Sequence, residues 1–427
     1  MRFIIKSIAF FFAALFPLLN PAIAPKTETA AQMIERTYAE CVGETVGYSV
    51  VAEYAPDGEY EGIEAVTFDG FDIDGKKTKL FAYLAFPDGA DENTPGVVLV
   101  HGGGGHAYLP WVKQWLDRGY AVIAPDVTGY FPIEAGAGES EADMRWTHSL
   151  CSVFAEDGHT VIPDNDGMAH SSDAPERQWM YHAVGAVIRS FSILSQSGRA
   201  DENKIGAVGV SWGAVITSLY IGYDSRPAFA VPIYGSAYLG DALSYMGGYF
   251  SEPETKKLWS AEDRLDKVTC PVLWLCSDCD GNFSVNSNCA SYLLTAGNEK
   301  TRLSIVNSFR HSHGCAWERE EPFVFADSMV NGGKETARFL TYPTAESAEC
   351  EVSGGSRARL YYITEEMTYS LADGNDPLST MPDQAWIKAS LDLNGGKITG
   401  EIPPNAVMYY ISVTENGCTV STPVVKR

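Results

Sequence analysis

Two hydrophobic periods alternate along the chain. In EAVTFDG and KLFAYLAFP apolar residues fall at alternate positions, and the turn-rich FDIDGKK joins the two runs, which predicts an antiparallel edge pair. From Thr94 onward short, wholly apolar runs give way to amphipathic ones and return: PGVVLVHG, WVKQWLDRG, YAVIAPDV. The same order continues through a helix from about Glu176 to Gln196, the strand ahead of GVSWG, AFAVPIYG, PVLWLCS, a helix near Val285 to Ala296, RLSIVNSF and a helix near Glu320 to Leu340. Uniformly apolar strands separated by helices predict an α/β class, a mostly parallel sheet with helices on both faces.

Two segments leave this pattern. Residues 127–175 have little periodicity and many Gly, Asp, His and Ser residues, a length that predicts a lid or binding loop. Past Thr341 the helical period ends, and RARLYYIT, AWIKASLDL, KITGEI and VMYYISV, with NGG and ENG turns, predict a small C-terminal β-sandwich over residues 342–427. The α/β unit, with a polar helical lead-in, then occupies residues 25–341. No internal repeat is visible.

Composition narrows the function. At 427 residues there is enough chain for one large α/β domain and a smaller companion. A formal charge of -24 with no basic run argues against a polyanion partner such as nucleic acid. Arg2 and Lys6 precede an apolar stretch that ends in small residues, the layout of a signal peptide over residues 1–24, with Ala24 fitting the A-x-A cleavage rule. Export is therefore expected, to the medium, periplasm or cell surface. The apolar run from Ile8 to Leu19, broken by Pro17, is short for a membrane span, so none is expected in the mature protein. Nothing in the sequence sets the oligomeric state.

Nine cysteines in an exported chain suggest disulfides. Cys350 and Cys418 are the two in the β-rich tail. Cys279 and Cys315 flank candidate site residues and would pin two loops together if bonded; Cys276 and Cys289 are competing partners, and unpaired thiols are the alternative. The C-x-x-C of Cys276 and Cys279 has no second pair and no His at zinc spacing, so no metal or other cofactor is read.

Candidate chemistry lies at the carboxyl ends of the apolar strands. In GVSWG, Ser211 stands between Gly209 and Gly213 where a strand turns into a helix, the pattern of a nucleophile elbow. A serine hydroxyl needs a base to take its proton and a carboxylate to hold that base in one tautomer. Asp278, Cys279, Asp280, Gly281 and Asn282 follow the strand PVLWLCS, and His311 and His313 follow RLSIVNSF, so acid and base come after the serine in chain order. Asp280 is preferred as acid with Asp278 the alternative, and His311 as base with His313 the alternative. HGGGG, residues 101–105, follows the buried strand PGVVLV, and its glycines permit backbone N–H groups to converge on an oxyanion. Gly102, Gly103 or Gly104 would supply one donor and the amide of Trp212 the other, with His101 orienting the loop. No G-x-G-x-x-G or G-K-[ST] supports a phosphate-binding loop instead.

With these residues the sequence resembles secreted bacterial α/β hydrolases of the acetylxylan esterase and dienelactone hydrolase-like kind, related to the prolyl oligopeptidase catalytic domain. The resemblance is carried by VLVHGGGG with WVKQWLDRGYAVIAPD, WMYHAVGAVIRS, KIGAVGVSWG, DSRPAFAVPIYG, PVLWLCSDCDGNF and RHSHGCAWEREEPFVFADS, over most of residues 94–340. The tail is similar to an accessory domain found on some such proteins. Two positions depart from the family pattern: Gly213 and Ala214 stand where Gly-Gly is common, and CSDCD stands where the acid loop usually has a glycine. The resemblance implies an α/β-hydrolase fold, Ser211, Asp280 and His311 as nucleophile, acid and base, and deacetylation of cell-wall carbohydrate. Trp111, Trp115, Trp212 and Trp317 are candidates for stacking on sugar rings. Two other functions fit parts of the sequence: a prolyl oligopeptidase-type peptidase, disfavoured by the lack of a propeller-like repeat, and a non-catalytic carbohydrate- or surface-binding protein, disfavoured by intact GVSWG, HGGGG and RHSHG.

Overall fold

The computed structural model describes residues 28–134, 146–150, 162–163, 173–241, 248, 250–365 and 386–427. The expected signal peptide, Cys151 and much of the 127–175 stretch lie outside the described residues. The chain opens with α1 (Ala30–Val42), started by a capping box in which Thr29 and Gln32 satisfy each other's amides. Then come β1 (Ser49–Val50), β2 (Glu64–Asp69), β3 (Lys79–Ala85), β4 (Gly96–Val100), α2 (Leu109–Leu116) and β5 (Ala121–Pro125). Within the expected loop, β6 (Tyr130–Glu134) and β7 (Trp146–Leu150) pair as an antiparallel hairpin. The α/β part is completed by α3 (Trp179–Ser195), β8 (Ile205–Val210), α4 (Trp212–Tyr223), β9 (Ala230–Ile233), α5 (Pro253–Trp259), β10 (Leu273–Ser277), α6 (Val285–Thr295), β11 (Arg302–Val306), α7 (His313–Trp317) and α8 (Glu321–Val330).

Nine strands form one sheet in the order β1-β2-β3-β5-β4-β8-β9-β10-β11. β1, β2 and β3 are antiparallel to their neighbours, as the alternating runs predict, and the pairs from β5 across to β11 are parallel. The parallel strands are apolar at every position because each face meets a separate core. Val98, Val100, Ile123, Ala207, Trp274 and Cys276 face α1, α3, α4 and α6, whereas Val97, Leu99, Val122, Val208, Leu273 and Leu275 face α2 and α8. Between Trp179 and Ser195 only Arg189 and Ser195 escape burial, so α3 is a core helix without a solvent stripe.

The helix expected to run to Leu340 stops at Val330, because the NGG that follows puts Gly332 at φ 64°, which a helix cannot continue through. The C-terminal strands are β12 (Arg338–Phe339), β13 (Cys350–Ser353), β14 (Arg357–Ile363), β15 (Ile387–Asn394), β16 (Lys397–Thr399), β17 (Met408–Glu415), β18 (Cys418–Ser421) and β19 (Val425–Lys426). They make one eight-stranded antiparallel sheet in the order β12-β13-β16-β15-β14-β17-β18, with β19 on β17. One face of β17, Tyr409, Ile411 and Val413, closes this sheet's own core, and the other, Met408 and Tyr410, enters the core of the α/β part together with Ile363 and Trp386. At the junction the Ser421 hydroxyl accepts the Ile305 N–H at 3.1 Å and donates to the Ile305 carbonyl at 3.3 Å, occupying the outer edge of β11.

The eight cysteines among the described residues are free thiols, which corrects the disulfide expectation. Cys350 and Cys418 sit on β13 and β18, with β16, β15, β14 and β17 between them in the sheet order. Cys279 turns to its own loop, with its sulfur 3.4 Å from the Ser277 hydroxyl.

Candidate active site

At the end of β8 the chain reverses through Ser211 at φ 57° and ψ -119°, a conformation that a residue with a Cβ rarely adopts. The flanking glycines make the turn possible. A Cβ on Gly209 would stand 2.1 Å from the Gly213 carbonyl oxygen, and one on Gly213 2.0 Å from that of Val100, so strand and helix touch backbone to backbone. Holding a serine this way stores roughly 1–3 kcal/mol of strain, which the buried strands on either side of β8 sustain.

His311 and Asp280 meet this serine from the two strands at the far edge of the sheet. The His311 Nε2 lies 2.8 Å from Ser211 Oγ, and its Nδ1 lies 2.7 Å from Asp280 Oδ2. The other oxygen of Asp280 accepts the backbone N–H groups of Asn282 at 2.6 Å and Phe283 at 3.0 Å, which fixes the plane of the carboxylate. The imidazole packs near two aromatic rings, with Tyr234 at 4.4 Å and Phe283 at 6.3 Å between centroids. Tyr234 also donates its hydroxyl to the Ser312 carbonyl, tying the end of β9 to the histidine loop. Nothing in VPIYG marks Tyr234 for this place, and sequence reasoning missed it along with Phe283.

The two alternatives occupy other positions. Asp278 is fully buried and accepts bonds from Asn307, Ser308 and Tyr410 rather than from a histidine. His313 turns toward the glycine loop, where its Nε2 accepts the Gly102 N–H at 2.8 Å. Burial, reinforced by the nearby His101, His311 and His106, pushes its pKa down to about 3, so the ring is neutral and keeps the lone pair that this bond requires. Gly102 and Gly105 wrap His313 closely: an added Cβ would come within 3.0 Å and 2.9 Å of its ring.

This contact uses the N–H of one of the three glycines expected as oxyanion donors. The Gly102 N–H is already committed to His313, which leaves Gly103 and Gly104 of the three candidate glycines. Gly104 has φ 66°, a turn conformation that favours glycine. His101 is buried beneath the loop, with its Nε2 accepting the Val127 N–H at 2.9 Å. Its proton is therefore on Nδ1, which donates to the Gly102 carbonyl at 2.8 Å. Trp212 directly follows Ser211 and opens α4, at the positive end of that helix's dipole. Trp111, Trp115 and Trp212 are core residues, each at most 3% exposed, so they offer no face to a sugar; Trp317 is half-buried against Tyr108. Among the described residues no cluster of His, Cys, Asp and Glu is arranged to hold a metal ion, and no helix is long and apolar enough to cross a membrane.

Several known proteins are similar to this chain in sequence or in structure. Probable dipeptidyl-peptidase 5 of Aspergillus flavus is 22% identical over 253 residues, which covers 54% of this chain and 30% of that protein. Probable dipeptidyl-peptidase 5 of Arthroderma benhamiae is 33% identical over 81 residues, covering 17% of this chain and 11% of its own. The chain thus spans less than a third of the length of these curated relatives. Among solved structures, the acetyl xylan esterase from Paenibacillus sp. R4 superposes with a TM-score of 0.49 at 17% identity, covering 72% of this chain and 96% of that one. The acetyl xylan esterase 1 from Thermoanaerobacterium sp. JW/SL YS485 gives a TM-score of 0.47 at 14% identity, covering 71% and 95%. The sequence model of the dienelactone hydrolase family matches residues 80–321, more than half of the sequence and the whole stretch from β3 to the start of α8, and the chain belongs to that family.

Proposed function

We propose that the protein is an exported serine carboxylester hydrolase that removes acetyl or similar small acyl groups from carbohydrate, with Ser211, His311 and Asp280 as nucleophile, base and acid. The observation that carries this reading is the hydrogen-bond relay from Asp280 through both ring nitrogens of His311 to Ser211. In this mechanism His311 Nε2 takes the Ser211 proton as Oγ attacks the ester carbonyl. The oxyanion is received by the Trp212 amide and an amide of Gly103 or Gly104. Collapse of the intermediate expels the sugar hydroxyl, protonated by His311, and leaves an acyl-serine. Water, deprotonated by the same nitrogen, then releases the carboxylic acid and restores the serine. Asp280 keeps the imidazole in the tautomer with Nδ1 protonated and stabilises the imidazolium that forms.

The small-acyl ester is supported by family membership and by the motifs that resemble acetylxylan esterases. A peptidase reading is favoured by one observation, that the curated relatives named above are dipeptidyl-peptidases. The two separate in one assay of the purified protein on p-nitrophenyl acetate, acetylated xylan and a dipeptidyl anilide. Release of acetate from the first two is the expected result, and turnover of the anilide alone would overturn the esterase reading.

A further inference from the structure

The strands that carry the proposed acid and base are neighbours, and Ser277 at the end of β10 pairs with Val306 at the end of β11. Asp278 and Asn307 therefore leave the sheet side by side. The buried Asp278 carboxylate spans them: Oδ2 accepts the Asn307 Nδ2–H at 2.7 Å and Oδ1 accepts the Ser308 backbone N–H at 2.8 Å. Two more donors come from the C-terminal sheet. The Tyr410 hydroxyl donates to Oδ2 and the Trp386 indole N–H to the Asp278 carbonyl, each at 2.8 Å. Both rings are buried and packed edge to face at 5.0 Å, with Tyr361 stacked on Tyr410 at 5.0 Å. A buried carboxylate is tolerated where several donors satisfy it, and here two of them are side chains drawn from separate parts of the chain.

From this geometry we infer that Tyr410 and Trp386 are positioning residues, through which the C-terminal sheet fixes Asp278 and thereby the separation of the acid and histidine loops. The inference rests on the Ser211, His311 and Asp280 reading. Asp280 lies two residues after Asp278, and His311 three after Ser308. The plane of the Asp280 carboxylate is set locally by Asn282 and Phe283, whereas the placement of its loop against the histidine loop runs through Asp278. Displacing a reacting group by about 1 Å can reduce turnover about 100-fold, so a partial loosening of this contact is expected to act on rate. The C-terminal sheet is on this account part of the catalytic apparatus, not a detachable substrate-binding module.

The test compares Tyr410→Phe and Trp386→Phe with wild type on p-nitrophenyl acetate, with Tyr361→Phe as a control that removes a hydroxyl from the same ring stack. Active sites are counted by titration with a fluorophosphonate. Expected for Tyr410→Phe is a fall in kcat per titrated site of about 10-fold with KM unchanged, and a matching fall in the rate of fluorophosphonate labelling. Trp386→Phe is expected to move in the same direction and Tyr361→Phe to stay at wild-type rates. Wild-type kcat per site in both folded variants overturns the inference, as does a loss confined to the number of titratable sites. Ser211→Ala is run alongside: if it retains turnover, the site reading itself falls, an outcome separate from failure of the positioning role.

Discussion

Replacing Ser211 by alanine and by glycine separates the chemistry of the elbow from its strain. Both substitutions remove the hydroxyl bonded to His311 Nε2, so both leave that nitrogen in the same state. Alanine keeps a Cβ at φ 57° and glycine does not. The difference between the variants therefore isolates the backbone. Relief of roughly 1–3 kcal/mol of strain, less roughly 0.5–1 kcal/mol for the added freedom of glycine in the unfolded chain, leaves the glycine variant more stable by about 1 kcal/mol. At about 2.1 cal/mol/K per residue the unfolding entropy of a chain of 427 residues is about 0.9 kcal/mol/K, so the melting midpoint should rise by about 1 °C over the alanine variant. Urea unfolding reads the same difference as a higher midpoint. On p-nitrophenyl acetate both variants should lose turnover by roughly 10⁴ to 10⁶. A glycine variant less stable than the alanine variant would refute the stored strain, and near-normal turnover by folded Ser211→Ala would refute the nucleophile.

Asp280→Asn should lower kcat by about 10³ to 10⁴, because an amide facing His311 Nδ1 favours the wrong tautomer; steady-state kinetics that found Asp278→Asn the more damaged would transfer the acid role. Gly213→Ala should destabilise the fold by about 3 kcal/mol or more, since its Cβ would stand 2.0 Å from the Val100 carbonyl oxygen, and a soluble, active variant by melting and turnover would contradict the close approach. Burial pushes His182 down to about 4, below an unfolded value of about 6.5, so its contribution to stability is full above about pH 6.5 and is lost as pH falls toward 4. Unfolding curves across that window should show less acid destabilisation in His182→Gln, by on the order of 3 kcal/mol; identical pH dependence in the two proteins would count against the buried neutral ring.

Strand and helix placement was legible where one physical demand acts on every residue of a segment. PGVVLV and PVLWLCS are apolar throughout because alternate side chains enter different cores, and the glycines of GVSWG mark a backbone crossing that a Cβ would block. The helix after RHSHG ends at Val330 and not at the expected Leu340, and NGG at residues 331–333 carries the stop signal. Choosing between Asp278 and Asp280 was harder, since both are short acids on one loop. What separates them in space is a turn that presents the Asn282 and Phe283 amides to Asp280, against three donors from distant segments that surround Asp278. No local pattern announces a Tyr410 hydroxyl 132 residues away. The same holds for His313, whose partner Gly102 lies 211 residues upstream. Cysteine spacing misled because pairing depends on where strands fall in a sheet, and Cys350 and Cys418 fall on strands that are not neighbours.

Each loop of the site is held by a side chain that belongs to another. The glycine loop is fixed from below by His101, which bridges Val127 and the Gly102 carbonyl, and from the side by His313, which takes the Gly102 N–H. The histidine loop is tied to β9 by Tyr234 and to the acid loop by Asp278. The acid loop is tied in turn to the C-terminal sheet. Donors and acceptors fixed before substrate arrives need no reorganisation when charge develops, which is how a preorganised polar site lowers a barrier. Cross-bracing of this kind also makes substitutions in different loops non-additive, because each removes support from a neighbour as well as its own contact. His313 is the clearest instance: it follows the proposed base by two residues, yet its ring accepts the Gly102 N–H of the glycine loop, so one short segment, RHSHG, would couple the proposed proton transfer to the placement of the proposed oxyanion donors.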